Sequence, residues 1–232
     1  MTSPAQLQSH LLRAQSLQQA GRLAEAWALI APLRKAIDQH GQALRLYALI
    51  AQGEGKIDQA VDALKRILTI ERDPPEIIGA LADMLGNAGR HDQALIQWSR
   101  LAALQPMIAD AHLNRAIAAA DAGKPAISIE AADTGPARFP GHPRLLAVRA
   151  MALKNDGRLE DSIAAFAQAV AADPDRALTR HNQAVALRAS YRFDEACEAY
   201  AASERLGMSG APFHSNWAAA ALEAQRDRKS VV

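Results

Sequence analysis

The chain has 232 residues, half of them hydrophobic but only 4% aromatic, and its 26 Lys and Arg against 25 Asp and Glu leave a net charge of +1. That balance offers no basic excess to hold nucleic acid or an anionic membrane. A single cysteine, Cys197, excludes an internal disulfide framework and a cysteine-clustered metal site. No apolar run nears the ~20 residues of a membrane span. The N-terminus lacks a basic region ahead of an apolar stretch, so no signal peptide is expected and the expected location is cytoplasmic.

In chain order the dominant signal is a repeat. Gly21, Gly55, Gly89, Gly123 and Gly157 fall 34 residues apart, and Tyr191 stands where the next would be. A basic residue follows each, from Arg22 and Lys56 to Arg158 and Arg192. Seven residues before each stands alanine (Ala14, Ala48, Ala82, Ala116, Ala150, Ala184), and Ala218 continues the series. Five residues after each stands another small residue: Ala26, Ala60, Ala94, Ser128, Ser162 and Ala196. Pro106, Pro140 and Pro174 close successive units with the same period.

Physical chemistry assigns these columns. Each unit reads as two helices of about a dozen residues joined by a short turn, where glycine takes the left-handed conformation that ends the first helix. Acids such as Glu25, Asp58, Asp92, Asp161 and Asp194 then favour the positive end of the second helix. Small residues mark where paired helices cross, and Ile30, Leu64, Trp98, Phe166 and Tyr200 fill the gaps beside them. Proline stops the second helix. In the fourth unit Gly135-Pro136 falls inside the second helix, which predicts a shortened or kinked helix there.

The period and the pattern Ala-x-x-x-(large apolar), as in Ala26…Ile30, Ala60…Leu64, Ala94…Trp98 and Ala196…Tyr200, resemble the tetratricopeptide repeat (TPR) family. The resemblance implies an all-α, right-handed α-solenoid of antiparallel helix pairs. Its six units would span 7–40, 41–74, 75–108, 109–142, 143–176 and 177–210, after an N-terminal tail over 1–6. A last helix over 211–224 reads as a cap or as half of a seventh repeat, followed by a tail over 225–232. The chain departs from the family pattern where its first helices lack the usual tryptophan, and His10, His112 or His214 stand instead.

Catalytic motifs are missing: there is no phosphate-binding glycine loop, no dinucleotide fingerprint and no H-E-x-x-H. His10, His112 and His214 are 102 residues apart in sequence, too far along a solenoid to share an ion. No enzyme activity, cofactor or metal is therefore expected. The resemblance implies instead a scaffold that binds a peptide or partner protein in its concave groove, lined by the first helices. Candidate groove residues are Arg45, Asn114, Arg144, Lys154, His181, Asn182, Arg188 and Asn216. The asparagines suit an extended peptide, since one side chain bonds both backbone groups, although a merely solvated helix face gives the same pattern. The Lys, Asn and Arg set with which some TPR domains grip chaperone tails is replaced early in the chain by Leu11, Gln15, Leu46 and Leu49.

The final residues, Asp227 to Val232, are also what a common short-read sequencing adapter translates to, so the native reading frame is expected to diverge after Arg226. The alternative function follows from that expectation. Alanine-rich arrays of this kind resemble the front parts of bacterial TPR sulfotransferases and TPR-linked 2-oxoglutarate/Fe(II) oxygenases. The chain would then be a substrate-recruiting module, with catalysis beyond its end. Self-association through the last helix is a third expectation.

Overall fold

The structure is a computed structural model and describes residues 3–230. Among them are thirteen α-helices, one short 3-10 helix and no strand. They form two compact units, Met1–Leu104 and Gln105–Val232. Unit 1 holds α1 (Pro4–Gln19), α2 (Leu23–Ile30), α3 (Gly41–Gly53), α4 (Ile57–Ile70), α5 (Pro75–Asn87) and α6 (His91–Leu104). Unit 2 holds α7 (Ala109–Asp121), α8 (Pro125–Arg138), α9 (Pro143–Asn155), α10 (Leu159–Ala172), α11 (Ala177–Ala189), α12 (Phe193–Arg205) and α13 (Ala211–Ser230). Within each unit, consecutive helices pair and the pairs stack side by side, as in an all-α helical-repeat solenoid.

The turn between paired helices has one construction throughout. Gly21, Gly55, Gly89, Gly123 and Gly157 take φ between 68° and 82°. The basic residue after each then sends its backbone N–H to a carbonyl five residues back, as in Arg22 to Leu17 at 2.9 Å and Arg158 to Leu153 at 2.9 Å. This is the 6→1 bond that closes a helix over a left-handed residue. Tyr191 holds the same geometry at φ 60°, and Arg192 still reaches Leu187 at 3.0 Å.

The small columns are the crossings. Ala14, Ala48, Ala82, Ala116, Ala150 and Ala184 on the first helices are no more than 3% exposed, and so are Ala26, Ala60, Ala94, Ser128, Ser162 and Ala196 on the second. The two serines bury a hydroxyl without leaving it unsatisfied. Ser128 Oγ donates to the Ala116 carbonyl and Ser162 Oγ to that of Ala150, each at 2.7 Å. Flanking them, Ile30, Leu64, Trp98, Phe166 and Tyr200 fill the space between helices. Pro106, Pro140 and Pro174 each stand two residues past the end of a second helix, after Leu104, Arg138 and Ala172.

Three details differ from the sequence expectation. First, α8 keeps fourteen residues through Gly135-Pro136, so the fourth unit's second helix is not shortened. Pro136 falls in the last turn, so the i→i−4 bond it cannot make lies at the end of the ladder and interrupts no helix beyond Arg138, while buried Ser128, Ala131 and Ala132 anchor the helix upstream. The proline break falls in the first unit instead. Pro32 sits in mid-helix, and α2 ends at Ile30 in a 3-10 turn, Ala31–Leu33. Second, α1 begins at Pro4, inside the expected tail, because Ser3 and Gln6 close a capping box. Third, α13 continues past Ala224 to Ser230, with Arg228 Nε donating to the Ala224 carbonyl and its guanidinium 3.4 Å from Asp194.

His181 packs its ring against Tyr200 and Phe213, each with centroids 5.6 Å apart, and its Nδ1 is buried without a partner. Burial pushes its pKa below the ordinary 6.5. The unfolded chain takes up a proton near 6.5 while the folded chain resists, so this stability is full above 6.5 and declines as pH falls below it. His181→Phe should flatten that decline in thermal unfolding compared above and below the transition; an unchanged slope would contradict it. For the crossings, Ala116→Leu should cost about 1–3 kcal/mol in urea unfolding by forcing α7 and α8 apart. A neutral substitution would count against the packing scheme.

Candidate functional site

Among the described residues, first helices line a cavity in each unit. In unit 1, α1 and α3 border a cavity of about 370 Å³ with Leu11, Leu12, Gln15, Leu46 and Leu49. Its charged member, Arg45, is already engaged. Arg45 Nη1 and Nη2 donate to the two Glu71 oxygens at 2.6 Å each, and Nη2 reaches Glu76 at 3.3 Å. The pairing holds the Glu71 carboxyl below its usual range. Gly41 leaves room for it, since a side chain there would collide with the Glu71 carboxylate. Arg45 therefore clasps α3 to the end of α4.

In unit 2, the first helices of three successive repeats border a cavity of about 250 Å³. Leu113 and Ile117 come from α7, Ala147, Val148 and Met151 from α9, and Leu178 from α11. The register explains the lining. Residues three and four apart on one helix share a face, so 113 and 117, or 144, 147, 148 and 151, point together. Met151 and Leu178 stay 37% and 47% exposed, so apolar surface is left open there. The polar members are Asp121 at the last position of α7, Arg144 in the first turn of α9, Arg176 at the N-cap of α11, and Asn182.

Of the eight groove candidates, only Arg144 and Asn182 line this cavity together. Arg144 is 3.8 Å from Asp110, and Asn182 Nδ2 is 3.5 Å from Met151 Sδ. Asn114 and Asn216 are half-buried on α7 and α13, outside the lining, so the asparagine column does not converge on this cavity. Lys154 lies in the last turn of α9, where a cation complements the helix dipole. Arg188 Nε donates to Glu223 at 3.0 Å, tying α11 to α13. His181 belongs to the aromatic core. Sequence reasoning missed Arg176, Met151 and Leu178. The signal in the sequence is the same-face spacing of apolar residues along α9.

Other reactive groups are engaged or damped. His112 Nε2 lies 3.0 Å from the Pro106 carbonyl, which Arg138 Nη1 also reaches at 3.0 Å. Burial and the nearby Asp194 push the Cys197 thiol up, away from the thiolate. Among the described residues no three His, Cys, Asp or Glu side chains converge, and no helix is long and apolar enough to cross a membrane.

No curated protein matches the sequence. Solved structures do match the fold. MamA (41-end) from Desulfovibrio magneticus RS-1 superimposes with a TM-score of 0.62 at 19% identity, over 72% of this chain and 94% of that one. YrrB, described as a TPR protein with an unusual peptide-binding site, gives 0.61 at 16% identity, over 75% and 90%. A thermophilic TPR protein of Thermus thermophilus gives 0.59 at 20% identity, over 78% and 99%. At such identities the likeness is one of fold. The tetratricopeptide repeat family model matches residues 80–143 and 148–211, more than half of the sequence. With the 34-residue period and the glycine turns, that match places the chain in the tetratricopeptide repeat family.

Proposed function

We propose that this protein is a non-enzymatic interaction scaffold, and that its unit 2 takes a peptide segment of a partner protein in the cavity between α7, α9 and α11. The observation that carries the reading is the lining itself. Three consecutive first helices leave Met151 and Leu178 partly bare around a concave, mostly apolar space. Apolar surface left open in a concavity is what an incoming side chain covers favourably. The unit 1 cavity also leaves Leu12 and Leu49 exposed, but it is bordered by two first helices rather than three, and its one charged group, Arg45, is bound to Glu71 and Glu76. The description of YrrB as peptide-binding lends support by analogy of fold.

A display-selected peptide should shift the methyl resonance of Met151 and leave that of Met84, buried in unit 1, in place. Ala147→Trp, which fills the cavity, should weaken such a peptide about tenfold or more. Shifts confined to unit 1, or binding indifferent to Ala147→Trp, would sink this reading.

A second reading concerns α13. The alanine column buried in six repeats is exposed in α13 at Ala218, and Leu222 beside it is 61% exposed. We propose that a second copy lays its own α13 against this face. Light scattering should then show a size that grows with concentration in the native chain and stays constant in Leu222→Glu. A constant monomer mass for both would contradict it.

A further inference from the structure

The unit 2 cavity carries a charge pattern as well as an apolar floor. Among the described residues, most other arginines in the unit are engaged. Some pair with acids, as in Arg158 with Asp161 at 2.7 Å, Arg188 with Glu223 at 3.0 Å and Arg192 with Glu195 at 2.7 Å. Others reach backbone carbonyls, as in Arg138 with Pro106, Arg180 with Pro174 and Arg205 with Ala201; Arg226 is not engaged, but it is exposed in the last helix. Arg176 makes no ion pair among the described residues, although it is half-buried at the cavity rim. Arg144 on the same lining has only Asp110, at 3.8 Å, with both side chains largely exposed. Such a pair is worth little in water and gives way readily to a better-placed anion.

Position adds to charge. Arg144 and Arg176 stand at the N-terminal ends of α9 and α11, where the helix dipoles also favour an anion. Asp121 stands at the C-terminal end of α7. Alternate helices of an antiparallel stack run the same way, so the cavity has a cationic end and an anionic end, with Ile117, Val148 and Met151 between them. A guanidinium without an ion pair, carried on a half-buried arginine, is a favourable receptor for a carboxylate, which it binds with charge-assisted, bidentate geometry.

Resting on the cavity reading above, we propose that the segment bound by unit 2 is acidic and apolar. It sets an Asp or Glu carboxylate against Arg144 and Arg176, and it lays an adjacent apolar side chain on Val148, Met151 and Leu178. Asp121 fixes the direction, since it repels an acid at the other end and accepts a donor there. A neutral or basic segment would leave Arg176 desolvated and unpaired, which is the source of selectivity.

The test is selection of a random-peptide display library on the full chain, followed by fluorescence anisotropy of an enriched peptide. The expected consensus pairs Asp or Glu with a large apolar residue. Replacing that acid by its amide should weaken binding about tenfold or more, and added salt should weaken the acidic peptide more than the amide. Arg176→Gln and Arg144→Gln should each reduce the preference for acid over amide while unfolding at the native temperature. Enriched peptides that lack acids, or an acid preference unchanged in both variants, would overturn the inference while leaving the cavity reading intact. Peptides that bind equally well to Ala147→Trp would overturn the cavity reading itself.

Discussion

Everything in this structure depends on how closely two helices approach at one point in each repeat. Alanine faces alanine or serine at that point, and all twelve residues are at most 3% exposed. An alanine contributes little by its own buried area, so its role is to permit contact rather than to supply energy. The neighbouring large residues, such as Phe166 and Tyr200, then reach across and bury fully. Because the crossing recurs with the same turn each time, each unit repeats one geometry and brings successive first helices side by side.

That regularity separates scaffold positions from free ones. The crossings, the turn glycines and the large apolar column are committed to the stack. The outer faces of the first helices are not, and their side chains are open to other uses. In unit 1 that freedom goes to an internal clasp, Arg45 with Glu71 and Glu76. Both units leave apolar side chains bare on this surface, Leu12 and Leu49 in unit 1 and Met151 and Leu178 in unit 2, but unit 2 leaves Arg176 without an ion pair among the described residues. Similar backbones thus carry different chemistry, so fold alone does not name a ligand.

Much of this architecture was legible in the sequence because it is local and periodic. Glycine at the turn, small residues at the crossings and proline after the second helix each act within a few residues of themselves. The consequence of a proline was harder to place. Pro32 breaks α2 because it sits in mid-helix, whereas Pro136 falls near the end of α8 and does not shorten it. The candidate site was least legible. Arg45, Arg188 and His181 read as groove residues, but their partners lie on other helices: Glu71, Glu223 and Tyr200 with Phe213. A repeat column shows which face a residue occupies and not what already waits there. Arg176 was illegible for a related reason, since its position just before α11 belongs to no strong column.

The central claim is that the first helices of unit 2 form the working surface. Amide hydrogen exchange of the full chain, with and without a saturating peptide selected on it, tests that claim most directly. The account predicts added protection over 109–121, 143–155 and 177–189, with little change in α10, α12 or unit 1. Protection confined to α13, or to the first helices of unit 1, would contradict it.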